Sequence, residues 1–250
     1  MRLATFNIQN GRSADGHVDI DRFASVVREL DADVLGLQEV DRDQPRSHLA
    51  DFTAVAAEVM GAQDARFVAA VAGTVGATWV AATGDEQPGT ATYGIALLAR
   101  YRALSWQVMR LPRIPVRFPM YLPGPRRVKV VREEPRAAVV GEFDTPLGRL
   151  AVANTHLSFV PGWNAVQLRR VHRKLQALPD PVVLLGDLNM TRPRMPGFCS
   201  LAAARTFPAD APDRQLDYVL VRGRVPEVIG VRTPELALSD HRPLIVDLGT

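Results

Sequence analysis

Short apolar runs that each stop on an acid, amide or imidazole side chain are the feature that most restricts this chain. The run 2–8 carries Asn7 near its end, 34–37 leads straight into Gln38-Glu39, and 149–154 runs on into Thr155-His156. The run 182–186 stops at Asp187 with Asn189 two residues on, Asp217 adjoins 218–221, and Asp240-His241 stands just ahead of 244–248. Runs of this length are strand-sized, and a polar group where one stops belongs at the margin of a sheet rather than in its core. Such ends, drawn from distant parts of the sequence, are suited to a shared cleft. Each alone has a plainer reading: Asn7, Asp187 and Asn189 as turn residues, Glu39 as surface, and Ser239-Asp240 as a cap.

Helical periodicity occurs elsewhere. Ile20, Phe23, Val27 and Leu30 recur at helical spacing behind Asp19 or Asp21 as a cap. Asp51 opens a second helix that turns Phe52, Val55, Ala56 and Val59 inward, and a third covers roughly 164–178. From 65 to 109 the pattern changes to short β-like runs at 67–71, 78–82, 95–98 and 104–108. The runs 137–143 and 149–154 flank Asp144-Thr145-Pro146-Leu147-Gly148 and read as a hairpin. Helices interleaved with strands, together with hairpins, argue against a purely parallel sheet. They predict an α+β chain, two mixed sheets packed together with flanking helices. There is no internal repeat or linker, so a single domain over 1–250 is expected.

Composition sets wide bounds. With 47% hydrophobic and 23% charged residues, the chain can bury a sizeable core and does not read as disordered. Thirty basic residues against 27 acidic give a formal net charge of +3. That balance is compatible with an anionic substrate, but an arginine-rich, alanine-rich composition also follows from a GC-rich genome. The single cysteine, Cys199, excludes an intrachain disulfide and a thiolate zinc cluster. No apolar stretch reaches the roughly 18–20 residues of a membrane span, and no leader pattern precedes the first run. A soluble, cytoplasmic monomer is expected.

One segment stands apart. Between 112 and 135 lie Arg113, Arg117, Arg126, Arg127, Lys129 and Arg132, with five prolines from Pro112 to Pro125. Proline suppresses regular structure, so a long, semi-rigid loop is predicted, either solvated or engaged with phosphates.

Taken together, the polar strand ends resemble the endonuclease/exonuclease/phosphatase (DNase I-like) family of metal-dependent phosphoesterases. Gly186-Asp187-Leu188-Asn189 and Ser239-Asp240-His241 are the most specific matches, supported by Leu37-Gln38-Glu39-Val40 and Asn154-Thr155-His156. The resemblance spans Asn7 to His241 in the family's order. It implies a four-layer αββα sandwich that hydrolyses phosphate esters. Glu39 is implied as principal ligand of a hard divalent cation, with Asn7 close by and Asp240 on the same side. An oxygen donor set suits Mg²⁺, with Mn²⁺ possible. Asp187 and Asn189 match the pair that orients water and holds the phosphoryl group. His241 matches the histidine bonded to a buried aspartate, here Asp217, and His156 a second histidine placed to protonate the leaving oxygen. Either Asp187 or His241 serves as the base. Arg136 matches a basic position, as a phosphate contact or a salt bridge, and Arg126 and Arg127 are substrate-binding candidates.

Asn154-Thr155-His156 stands where abasic-site endonucleases carry a tyrosine- and asparagine-containing segment, so the chain looks more like the branch with DNase I, sphingomyelinases, inositol-polyphosphate phosphatases and tyrosyl-DNA phosphodiesterases. Ile95 departs from a Gly-Asn-Ala pattern and removes one amide contact. The substrate is then a phosphate ester, with a nucleic-acid phosphodiester slightly favoured. Alternatives are a small phosphorylated sugar, inositol or lipid headgroup, or a catalytically silent nucleic-acid- or protein-binding module.

Overall fold

The computed structural model describes residues 1–114, 118–122, 127–131 and 133–249, with 118–122 and 127–131 described by their backbone. The elements begin with β1 (Arg2–Asn7), α1 (Ile20–Leu30), β2 (Val34–Arg42), α2 (Phe52–Met60), β3 (Asp64–Gly73) and β4 (Trp79–Ala81). Next come β5 (Thr92–Ala99), β6 (Ala103–Leu111), β7 (Phe118–Leu122), β8 (Arg127–Val131), β9 (Arg136–Thr145) and β10 (Gly148–His156). The last are α3 (Trp163–Leu175), β11 (Val182–Asp187), β12 (Cys199–Ser200), β13 (Asp217–Arg222), β14 (Val228–Arg232) and β15 (Leu244–Leu248).

Seven strands form one sheet in the order β14-β15-β1-β2-β5-β3-β4, and six form another in the order β12-β13-β11-β10-β9-β6. Both are mixed: β1 runs parallel to β2 and antiparallel to β15, while β10 runs parallel to β11 and antiparallel to β9. Between the sheets, Leu3, Val34, Ile95 and Leu97 meet Val139, Phe143, Val152, Val183, Leu185 and Val219 in one buried cluster. The outer face of the first sheet packs Leu35, Leu37 and Leu98 against Phe23, Val27, Leu30 and Phe52 of the first two helices. Leu168, Val171 and Leu175 of α3 cover Ala153, Val182, Leu184 and Leu220 on the second. The result is the four-layer sandwich expected. Each fully buried leucine or phenylalanine contributes about 1.5–3 kcal/mol, so these three layers of contact dominate stability.

Local signals account for the helices. Asp19 accepts a hydrogen bond from the Arg22 N–H at 3.0 Å, and Asp51 accepts from that of Ala54 at 3.0 Å, each satisfying a first-turn donor. The third helix stops at Leu175, and Leu178 joins its cluster from the turn beyond. Among the described helices, none is long and apolar enough to cross a membrane.

One reading is corrected. The 112–135 segment is not without regular structure, because β7 and β8 pair antiparallel, with Pro119 opposite Val130. A two-stranded ribbon leaves each strand a free edge, and an edge accommodates a residue with no N–H. Ile95 is buried between the sheets, where it also lines a small cavity with Arg136 and His156.

Candidate active site

Sheet register collects the polar strand ends. His156 lies opposite Asp187 in the β10–β11 pair, and Asp187 lies opposite Asp217 in the β11–β13 pair, so three predicted residues form one row across the second sheet. Asn7 ends β1 directly beside Gln38 of β2. Glu39, at φ 56°, is the extra residue of a bulge between the Gln38–Ile95 and Val40–Gly94 pairs. A bulge re-aims a side chain. Here it accompanies a carboxylate that meets the end of β1 instead of continuing the alternation.

Asn7 is the hinge between the two sheets' contributions. Its Nδ2 donates to Glu39 Oε1 at 3.2 Å and to Asp187 Oδ2 at 3.1 Å, while its Oδ1 accepts from the Gln9 N–H at 3.1 Å. The Ser239 hydroxyl donates to the Asn7 carbonyl at 2.6 Å and accepts from the His241 N–H at 3.1 Å, fastening the last loop to β1. His241 Nδ1 sits 2.9 Å from Asp217 Oδ2, and its Nε2 lies 3.8 Å from Asp187 Oδ2. Asn189 donates its backbone N–H to Asp187 Oδ1 at 2.8 Å, and its Nδ2 lies 3.2 Å from His156 Nε2. Asp187, Asp217 and His241 bring ligand-type atoms within 4.8 Å of one another.

Residues 4–241 match the Endonuclease/Exonuclease/phosphatase family. The chain belongs to this family. Family members are phosphoesterase hydrolases, and this chain is an enzyme of that kind. No curated protein matches the sequence. Among solved structures, an endonuclease/exonuclease/phosphatase from Beutenbergia cavernae is 25% identical with a TM-score of 0.69, covering 100% of this chain and 72% of its own. The mannosyl-6-phosphatase of Bacteroides thetaiotaomicron is 16% identical with a TM-score of 0.65, each chain being covered fully. Truncated Caenorhabditis elegans TDP2 is 15% identical with a TM-score of 0.62, covering 100% of this chain and 97% of its own.

In this endonuclease/exonuclease/phosphatase site, two buried histidines stand in opposite states because their neighbours differ in charge. Burial, then the Arg136 and His241 charges, holds His156 well below its ordinary value, so the ring is neutral. Donor groups face both ring nitrogens of His156: Arg136 Nη1 lies 3.0 Å from Nδ1 and Asn189 Nδ2 lies 3.2 Å from Nε2, with Asp187 Oδ2 3.5 Å from Nε2. Burial also works against a charge on His241, but the Asp217 carboxylate outweighs it and raises that ring to about 10. Asp187 is raised to about 7, first by burial and then by repulsion from Asp217, with His241 and the Asn7 amide opposing.

The family is metal-dependent, and the donor set at Glu39 fits a hard cation. Burial raises the Glu39 carboxyl, and among the described residues no cationic side chain comes within ion-pair distance of it. A divalent ion would supply the missing charge. Asp240 is exposed and acts on Glu39 through its charge, which puts it on the same side. Asn7 turns its amide hydrogens, not its oxygen, toward Glu39.

Arg136 is buried and bonds to an imidazole, so it is not the carboxylate salt bridge that sequence allowed. Arg126 lies outside the described residues, and Arg127 begins β8, of which the backbone alone is described. Sequence reasoning missed a clamp beneath the site. Asn154 donates to the carbonyls of Leu37 at 2.9 Å and Ala96 at 2.8 Å, and Gln38 Nε2 donates to Asn154 Oδ1 at 2.7 Å. These fully buried amides link the two sheets directly under Glu39. Both lie inside the quoted motifs, and an amide within an otherwise apolar strand was the available signal.

Proposed function

We propose that the enzyme hydrolyses a phosphodiester with Mg²⁺ or Mn²⁺, and that a nucleic-acid strand is its substrate. The observation that carries this is the continuous chain of contacts from Glu39 through Asn7 to Asp187, and from Asp187 to His241 and Asp217. Glu39, with Asp240 on its side, would hold the cation, which supplies Lewis-acid charge to a phosphoryl oxygen. Asp187, raised to about 7, is the base that takes a proton from water. His241 keeps its own proton at neutral pH, so it is the cationic partner of the phosphoryl oxygens and not the base. His156, held neutral between Arg136 and Asn189, is a positioned contact and not the acid that protonates the leaving oxygen. Asn189 orients that ring and the phosphoryl group from the other side.

The competing use of Asp187, Asp217 and His241 as metal ligands is disfavoured by the same geometry. A ring whose Nδ1 is bonded to a carboxylate at 2.9 Å and which stays protonated has no free lone pair for a cation. A second reading, hydrolysis of a small phosphorylated sugar, inositol or lipid headgroup, draws support from the mannosyl-6-phosphatase neighbour. Turnover of single-stranded DNA, duplex DNA, RNA, mannose 6-phosphate, inositol phosphates and sphingomyelin, with Mg²⁺, Mn²⁺ or chelator, tests these. Chelator-sensitive cleavage of DNA or RNA is expected. Turnover confined to a small monoester would select the second reading, and metal-independent binding without turnover would leave a binding module.

A further inference from the structure

A pocket of about 680 Å³ opens beside the catalytic end, lined by Arg42, Arg66 and Arg110 on three different strands. Arg42 follows Glu39 by three residues on β2, about 10 Å along the strand at about 3.3 Å per residue, so one wall of the pocket continues the strand that carries that carboxylate. Arg42 is spent: its Nε lies 2.7 Å from Asp51 Oδ2 and its guanidinium covers the Phe67 ring at 4.4 Å. Arg66 and Arg110 differ. Among the described residues neither has a carboxylate within ion-pair distance, and Arg110, partly buried, donates only to the Ala69 carbonyl.

Two acids, Asp43 and Glu86, share this lining, and although the Glu86 charge acts on Arg110, neither pairs with Arg66 or Arg110 among the described residues. The Glu86 carboxylate is taken by the backbone N–H groups of Thr83 and Gly84 and by the Thr83 hydroxyl. Thr92, 4% exposed, also lines the pocket, and its hydroxyl oxygen has no hydrogen-bond partner. A second surface pocket, formed around Met1 and Gly249, provides the contrast. There Arg2 pairs with Asp247 at 2.6 Å and Arg100 with Asp31 at 2.8 Å, so its cations are already matched.

We propose that Arg66 and Arg110 hold a second phosphate of the substrate, while the exposed Val108 beside them covers the sugar or base that carries it. Two guanidinium groups give planar, paired donors suited to a phosphate. Arg66 on β3 and Arg110 on β6 stand on other strands than Glu39 on β2 and Asp187 on β11, so a phosphate they hold is a second one, on a neighbouring link of a polymer. The inference rests on the phosphodiesterase reading above and narrows it to a multiply charged strand.

The full chain is tested as Arg66→Gln, Arg110→Gln and the double variant, with Arg170→Gln on the exposed side of α3 as control. In chelator, a fluorescein-labelled oligothymidylate should bind the double variant about tenfold more weakly. The slope of log affinity against log salt should flatten by about one. The control should match the parent. Equal affinity and slope in parent and double variant would overturn the proposal. If Arg110→Gln fails to fold, the exposed Arg66→Gln decides alone. With Mg²⁺, the ratio of kcat/KM for the oligothymidylate over bis(p-nitrophenyl) phosphate should fall by a similar factor, and an unchanged ratio overturns it as well. If the parent cleaves neither ester, the phosphodiesterase reading fails, while the chelator experiment still decides whether the pocket binds phosphates.

Discussion

His241 Nδ1 and Asp217 Oδ2 stand 2.9 Å apart, both side chains buried, and that pairing keeps the His241 ring charged at neutral pH. The carboxylate raises the ring to about 10, well above the ordinary histidine value, despite burial. The folded protein therefore holds this proton more tightly than the unfolded chain. Its contribution to stability is fully present below about pH 6.5 and is lost as pH rises through about 10. Asp217→Asn should remove most of that contribution. In urea unfolding, the gap between parent and variant should be widest in mild acid and should shrink toward pH 10. A gap independent of pH would mean the bond does not hold the proton.

Asp187→Asn should cut kcat by about 10²–10⁴ while circular dichroism stays unchanged, because a base is lost without loss of volume. Since Asp187 is raised to about 7 by burial and by Asp217, parent activity should climb through neutral pH as the carboxyl ionises. Bound cation will draw that limb lower. His241→Ala should cost a comparable factor, and near-normal rates in either variant would mean that the base and its cationic partner lie elsewhere.

Asn7→Ala leaves Glu39 and Asp187 without their shared amide donor, which is 3.2 Å from one and 3.1 Å from the other. The half-saturating Mg²⁺ concentration should rise about 10–100-fold, the usual effect of losing a group that orients a ligand. Glu39→Gln should be worse, with activity absent at any accessible Mg²⁺. Magnesium titration of the rate measures both.

Asn154→Leu should destabilise the fold by about 2–4 kcal/mol, since it strips Gln38 and two strand carbonyls of buried partners. The neighbouring Gly36 shows how tight the clamp is, because a Cβ there would stand 2.9 Å from Asn154 Oδ1. Thermal unfolding should drop by several degrees, with kcat near normal well below the transition. A loss of kcat without loss of stability would give Asn154 a direct part in catalysis.

The residues of the candidate site were legible because each sits next to a pattern that local chemistry imposes. Strand-length apolar runs predict β1, β11 and β15, helical spacing behind an aspartate predicts α1 and α2, and the polar groups where strands stop name Asn7, Asp187 and His241. What the side chains do to one another was not legible. Asn7 meets Asp187 across 180 positions, and His241 meets Asp217 across 24. Local periodicity carries no information about such pairings; sheet register creates them.

Tertiary structure also decided the protonation of the two histidines, which are chemically identical in sequence. One is buried against a guanidinium and stays neutral, while the other is buried against a carboxylate and stays charged. The 112–135 segment follows the same logic. Its prolines weigh against regular structure residue by residue, yet a ribbon with free edges forms there. Sequence by itself determined the sandwich and the chemical identity of the site's groups, because both follow from short-range pattern and residue type. Only the folded chain fixed their distances and charges, because desolvation and neighbouring charge exist only once the two sheets have closed over them.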